Sequence, residues 1–229
     1  MLDDLRDQVL EANLALPKHG LVTLTWGNAS GIDRTEGLVA IKPSGVAYDA
    51  MTADDLVVVD LDGNVVQGEH KPSTDTPTHL ALYRAFEDIG GVVHTHSTWA
   101  TVWAQAQREI PLLGTTHADL SAQPIPLARA LTPAEINDDY EGATGAILIE
   151  AVSDRTPEEV PCVLVRGHGP FCWGPDPAKA VQNAVTLEEV ARMALFARLL
   201  DADAPALDPA VRDKHFQRKH GPQAYYGQR

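Results

Sequence analysis

Apolar residues in this 229-residue chain are gathered into short runs fenced by turn-forming residues, and these runs alternate with longer stretches of helical spacing. No run approaches the ~20 residues that a membrane span requires. Leu2, Leu5, Val9, Ala12 and Leu16 recur at helical spacing, with Pro17 and Gly20 to end the helix. Strands are predicted over Leu21–Trp26, Leu38–Lys42, Gly91–Ser97, Ala146–Val152 and Pro161–Gly167. Leu56–Val59 and Val65–Gln67 flank an Asp62-Gly63-Asn64 turn and read as a hairpin. Thr74 or Asp75 caps a helix that has Pro77 in its first turn and runs to about Phe86. Further helices are predicted over Thr98–Ala106 and from Asp176-Pro177 onward, where Val181, Val185, Leu187, Val190, Ala194, Ala197 and Leu200 are the apolar positions. Helices and hairpins mixed in this way predict an α/β domain whose sheet is covered on its faces. At roughly 150 residues per domain the length admits one domain or two small ones, and no linker or repeat divides the chain.

Charge excludes some functions. The formal net charge is −14, which is wrong for a general nucleic-acid binder and unfavourable at an anionic membrane. The charge is unevenly placed. Arg212 to Arg229 holds five basic residues and one acid, so this end is +4 and the rest of the chain −18. Two cysteines, Cys162 and Cys172, are too few for a disulfide framework and read as reduced core residues. The N-terminal stretch has early acids and no apolar signal-peptide core, so a cytoplasmic protein is expected.

His94 and His96 carry the most chemical meaning. Thr95 separates them within an apolar run, and on a strand both imidazoles emerge on one face, making half of a tetrahedral zinc site. His168 follows another predicted strand and is flanked by Gly167 and Gly169, which let the backbone turn sharply and approach closely. Asp75 offers a carboxylate as a fourth ligand or an acid/base. Three histidines with an open position mark a catalytic rather than a structural zinc. Gly27-Asn28, Lys42-Pro43-Ser44-Gly45 and Ser73-Thr74 are small polar segments after strands or before a helix. Each alone is an ordinary turn; converging on the metal, they would make a phosphate cradle.

Trp26-Gly27-Asn28, Ile41 to Gly45, Lys71 to Pro77, His94-Thr95-His96, Gly114-Thr115-Thr116-His117-Ala118-Asp119, Gly167 to Pro170, Lys219-His220-Gly221 and Tyr225-Tyr226-Gly227 span nearly the whole chain. In these segments the sequence resembles the L-ribulose-5-phosphate 4-epimerases of the class II aldolase/epimerase superfamily. The His-x-His pattern identifies only the superfamily; the Gly114–Asp119 segment and the tyrosine-rich end point to the epimerase branch. The resemblance implies a single three-layer α/β/α domain over residues 1–229, with a central mixed, largely antiparallel sheet. It implies a homotetramer with active sites at subunit interfaces, completed by a tail of about residues 212–229, and a place in arabinose catabolism. Its implied zinc ligands are His94, His96 and His168, with Asp75 at or beside the metal, one zinc or other divalent ion per subunit. Gly27, Asn28, Ser44, Gly45, Ser73 and Thr74 would hold the substrate phosphate, with Lys42 nearby. Asp119 and Tyr226 would be acid/base residues from the neighbouring subunit, with His215 close to Tyr226.

The implied reaction is inversion at C4, interconverting L-ribulose 5-phosphate and D-xylulose 5-phosphate. C4 of a 2-ketose has no acidic proton, so cleaving C3–C4 and remaking it is the accessible route; zinc would offset the charge that develops. A cleaved aldehyde that turns over and recondenses inverts the centre, with one acid/base group on either side. Leu120-Ser121-Ala122-Gln123 and Gly167 depart from the family pattern, and the first of these bears on substrate breadth. The remaining alternatives are a class II sugar-phosphate aldolase, an epimerase for another pentulose phosphate, and a non-catalytic domain like the adducin head.

Overall fold

The computed structural model describes residues 2–227. In chain order the strands are β1 (Asn28–Asp33), β2 (Leu38–Ile41), β3 (Val57–Asp60), β4 (Val65–Gln67), β5 (Gly91–His94), β6 (Cys162–Val165) and β7 (Gly169–Gly174). They form one sheet in the order β4-β3-β2-β1-β5-β7-β6, each neighbouring pair antiparallel. Among the described residues, parallel pairing is confined to an isolated bridge between Leu127 and Leu164. The helices are α1 (Leu2–Lys18), α2 (Thr76–Ala85), α3 (Thr98–Gln105), α4 (Thr115–Leu120), α5 (Pro133–Asp138), α6 (Tyr140–Ala151), α7 (Pro177–Leu200) and α8 (Pro209–His220).

Strand side chains alternate between two cores, one on each face. Ala40, Val58, Val93, Leu164 and Cys172 pack with α1, α3 and α7 through Leu5, Val9, Trp103, Leu187 and Val190. Their sequence neighbours Val39, Val57, Val59, Val92, Val163, Phe171 and Trp173 pack on the other side with Leu80, Leu82, Tyr83, Ile147 and Leu148 of α2 and α6. The result is a three-layer α/β/α arrangement. Burial on both faces is why β2, β3, β5 and β6 read as short apolar runs. Cys162 and Cys172 stand opposite each other across β6 and β7 as buried free thiols.

Two predicted strands are corrected. Ala146–Val152 lies largely in α6, where Thr144, Gly145, Ile147 and Leu148 are buried at helical spacing. Gly145 lets α6 approach α2 closely, since a Cβ there would stand 2.5 Å from that of Ala81. An apolar run of this length is ambiguous by itself, and the deciding residue lies upstream: Asp139 caps the helix by accepting from the Gly142 N–H at 3.1 Å. Leu21–Trp26 is also not a strand. Leu24 adopts a positive φ of 55° and is 76% exposed, and the Trp26 N–H closes a turn on the Thr23 carbonyl at 3.1 Å. The strand begins at Asn28 instead. Among the described residues no helix is long and apolar enough to cross a membrane.

Candidate active site

The three candidate metal ligands come together at one end of β5 and β7. His94 is the last residue of β5 and pairs in register with Phe171 of β7, so the turn leading into β7 arrives beside it. His168 sits in that turn, after Gly167 at φ 69°. His96 follows just past the end of β5, beyond the buried Thr95, and its ring centre lies 5.0 Å from that of His94. One ligand atom from each of the three imidazoles lies within 4.8 Å of the others. The ring centroids are 4.8 to 5.0 Å apart, with the rings steeply inclined to one another. Gly169 permits this approach: a Cβ there would meet the Thr95 carbonyl oxygen at 2.5 Å and the His96 ring at 3.3 Å.

Surrounding groups orient two of the rings. His94 stacks on Phe171, and its Nδ1 lies 3.0 Å from the Pro170 carbonyl oxygen. A carbonyl can only accept, so Nδ1 carries the proton and Nε2 keeps its lone pair. Nδ1 of His168 lies 3.4 Å from the Tyr140 hydroxyl. With Nδ1–H donating to Tyr140 Oη, His168 also presents Nε2. Such outer contacts fix ligand orientation in metal sites. Burial pushes His94 down to about 3 and also lowers His96 and His168. Three neutral nitrogen donors at neutral pH suit a borderline divalent ion such as Zn²⁺. Asp75 adds a negative charge beside them. Burial opposes ionisation, but His94, His79 and a hydrogen bond from Asn28 outweigh it and hold the carboxyl low. Its Oδ2 accepts from Asn28 Nδ2 at 2.7 Å, and it lies outside the close three-imidazole group.

The small polar loops converge on this end of the sheet. Asn28 pairs with His94 across β1 and β5, and its Nδ2 reaches both Ser73 Oγ at 3.0 Å and Asp75. The Ser44 N–H donates to the Lys71 carbonyl at 2.9 Å, and the Ser73 N–H to the Lys42 carbonyl at 3.0 Å. Gly27 has φ 75°, and a Cβ there would stand only 2.9 Å from the His94 carbonyl oxygen, so a side chain is excluded. Ser44, Gly45 and Thr74 are exposed around the cradle.

Lys42 behaves differently from a free phosphate ligand. It is buried, and its Nζ donates to the carbonyls of Val46 at 2.8 Å, Pro43 at 3.2 Å and Thr25 at 3.5 Å. It also lies 4.8 Å from the centre of the Tyr48 ring, whose hydroxyl donates to the Trp26 and Gly27 carbonyls at 2.8 Å each. Lys42 is therefore a strut joining the loop of Thr25 to that of Pro43 and Val46. Lys42→Met is expected to raise KM for a phosphorylated substrate by about tenfold or more, with metal content retained, because losing a buried charge-assisted contact costs ~1.5–3 kcal/mol. Steady-state kinetics with metal analysis checks this; an unchanged KM would remove Lys42 from the cradle.

Asp119 and Tyr226 form a second cluster with α8. His215 Nδ1 lies 3.1 Å from Asp119 Oδ1, and Arg218 grips the same carboxylate through Nε at 3.1 Å and Nη2 at 2.6 Å. Lys219 adds a contact at 3.7 Å. Burial raises the Asp119 carboxyl, but the Arg218 and His215 hydrogen bonds and the Lys219 charge hold it below the usual range. The Tyr226 ring lies beneath the Arg218 guanidinium at 4.9 Å and the Lys219 ammonium at 4.5 Å. His215 thus touches Asp119. Elsewhere in the basic tail, Arg212 pairs with Asp213 and Lys214 lies 5.3 Å from the Tyr225 ring centre. Residues 228 and 229 of the expected tail lie outside the described residues. Tyr226 lines a cavity with Asp88, Trp173 and Gly174. Gly174 pairs with Gly91 at the opposite end of β5 and β7 from His94. Three strand steps, about 10 Å, separate those ends.

Two other histidines are structural. His79 is fully buried and bonded through Nδ1 to Ser30 Oγ at 2.7 Å; the Nε2 of His117 donates to the Gln123 carbonyl at 3.0 Å. Burial pushes both down to about 4. Their folded values are depressed, so they stabilise the fold above the unfolded value near 6.5, and this is lost as the pH falls toward 4. The metal-free protein is expected to lose about 2 kcal/mol per such histidine between pH 7 and 5. Chemical denaturation across that range measures it; a flat profile would contradict neutral burial.

Residues 7–195 match the family model described as Class II Aldolase and Adducin N-terminal domain. The chain belongs to this family. Among curated class II aldolase relatives, it is 55% identical over 228 residues to "L-ribulose-5-phosphate 4-epimerase UlaF" of Salmonella paratyphi A (strain ATCC 9150 / SARB42), covering 100% of each chain. The protein of that name from Salmonella typhi gives the same identity and coverage. Among solved structures, an L-fuculose 1-phosphate aldolase superposes with a TM-score of 0.80 at 24% identity, covering 94% of this chain and 95% of its own. The l-fuculose-1-phosphate aldolase of Thermus Thermophilus gives 0.69 at 25% identity, covering 88% and 99%. These likenesses agree with the class II aldolase fold and with the epimerase resemblance in the motifs. Sequence reading missed Tyr140, Tyr48 and the Pro170 carbonyl. Each lies far along the chain from the group it holds in place; Tyr140 and Tyr48 sit in no pattern that marks them, and the Gly167–Pro170 segment does not reveal that its last carbonyl meets His94.

Proposed function

We propose that this chain is a metal-dependent 4-epimerase that interconverts L-ribulose 5-phosphate and D-xylulose 5-phosphate by cleaving and remaking the C3–C4 bond. The observation that carries this reading is that two acid/base groups, Asp119 and Tyr226, are gathered by one helix. An epimerisation needs a proton acceptor for each of two C4–O orientations, whereas the three-imidazole site alone is common ground for the superfamily. Full-length identity of 55% to curated 4-epimerases supports the same substrate pair.

His94, His96 and His168 would hold the ion, with Asp75 beside them. A divalent ion bound there supplies Lewis-acid stabilisation of the charge that develops on the ketose oxygens. The chain's own residues do the rest. The loops of Gly27, Asn28, Ser44, Gly45, Ser73 and Thr74, braced by Lys42, hold the phosphate and keep the cleaved aldehyde fragment from leaving. One of Asp119 and Tyr226 takes the C4 hydroxyl proton as C3–C4 breaks. After the aldehyde turns its other face, the second returns a proton to the oxygen as the bond re-forms. That Tyr226 lines a cavity with Gly174, at the end of β7 away from His94, supports this cluster's serving a neighbouring subunit. We therefore read the protein as one domain with a tail that completes an interfacial site, assembled as a homotetramer. Two free thiols and an acidic surface support a cytoplasmic setting.

Incubating the purified protein with L-ribulose 5-phosphate, alongside metal analysis, tests the proposal. D-xylulose 5-phosphate should form without accumulation of free fragments, with about one divalent ion per chain. Release of glycolaldehyde phosphate would instead indicate an aldolase, and no turnover by metal-replete protein would exclude this substrate pair.

A further inference from the structure

We propose that Arg218 is a positioning residue that locks Asp119 and Tyr226 into one proton-transfer unit. This inference rests on the acid/base reading of those two residues. Arg218 reaches both, and does so in two ways. Its side chain forms a fork on the Asp119 carboxylate, Nε to Oδ1 at 3.1 Å and Nη2 to Oδ2 at 2.6 Å. The same guanidinium carbon lies 4.9 Å from the centre of the Tyr226 ring. Its backbone carbonyl accepts from the N–H groups of Tyr225 at 3.0 Å and Tyr226 at 3.2 Å, which folds the tail back over the helix end.

Other contacts do less for the carboxylate itself: His220 Nε2 lies 3.0 Å from the Asp119 backbone carbonyl, which ties α8 to α4 but leaves the carboxylate oxygens free to turn. No residue of α8 is fully buried, so polar contacts carry much of what holds the tail in place. Lys219 contacts Asp119 only at 3.7 Å, and a single ammonium cannot reproduce a planar fork. His215 reaches one carboxylate oxygen only. The Arg218–Asp119 pair is mostly shielded, with side-chain exposures of 24% and 13%, so it is worth more than an open surface ion pair. A proton acceptor misplaced by about 1 Å can cost on the order of 10²-fold in rate.

Arg218→Ala should therefore lower kcat by about 10²-fold, with KM and metal content near wild type. Arg218→Lys keeps the charge but loses the fork, and should remain impaired. Added guanidinium ion should partly restore kcat in Arg218→Ala, a response that a purely structural defect would not give. Asp119→Asn/Arg218→Ala should be no slower than Asp119→Asn, because both changes disable one unit. Wild-type kcat in Arg218→Ala beside an impaired Asp119→Asn would overturn the role of Arg218 alone. So would losses that add in the double variant without rescue. Full turnover by Asp119→Asn would instead overturn the acid/base reading beneath it.

Discussion

Asp119→Asn should lower kcat by about 10²–10⁴-fold, the range expected when a general acid/base is removed. The substitution is nearly isosteric. An asparagine oxygen can still accept from Arg218, so the tail should stay docked, but an amide cannot take a proton from a hydroxyl. Asp119 is held in its anionic, proton-accepting form by Arg218, His215 and Lys219. It lies in α4, and the contacts described for its carboxylate come from α8 rather than from the imidazole site. Metal content should accordingly be unchanged. Turnover kinetics in both directions with metal analysis decide it. Metal and activity lost in proportion would make Asp119 structural, and an undiminished kcat would remove it from the proton-transfer role.

The three-imidazole cluster was legible because its signal is local. His94-Thr95-His96 in an apolar run and a glycine-flanked His168 each state their own geometry, and the β5–β7 register then brings them together. The start of α2 and the β3–β4 hairpin were legible for the same reason, although Asp75 stands at the N-cap position without a capping hydrogen bond, its carboxylate accepting from Asn28 instead. Where partners are distant in sequence the reading stopped short. Lys42 looks like an available cation until its ammonium is found donating to three carbonyls. β1 (Asn28–Asp33) contains two polar residues and a glycine in its first four positions, so its pattern does not announce a strand. It is strand nonetheless because β2 and β5 pair with it on both sides. Gly31 has a related reason for being small: a Cβ there would come within 2.9 Å of Val9 and Pro177 side chains. β7 carries Gly169 and Pro170, residues that usually argue against a strand. Gly169 is required for the close approach to Thr95 and His96, while the Pro170 main-chain carbonyl, a group any residue would supply, holds His94. Local rules failed where the site made its own demands.

His96→Ala should abolish stable metal binding and with it nearly all turnover. Two remaining imidazoles leave half of a tetrahedral ligand set, and Asp75 cannot simply replace the third, since its carboxylate is already committed to Asn28 and stands outside the close group. His96 is also the most exposed of the three, so removing it creates little internal cavity. His94 is different: it is fully buried between Phe171 and Pro170, and truncating it would damage packing as well as ligation. His96 is therefore the cleaner test. The variant should fold, keep its metal-free denaturation midpoint close to wild type, and bind Zn²⁺ more weakly by at least about 10²-fold, beyond the range for losing an outer partner. Chelator competition reads the affinity without any need for activity. Near-normal zinc affinity in His96→Ala would take this residue out of the ligand set, and full turnover by the metal-free variant would overturn the metal-dependent reaction altogether.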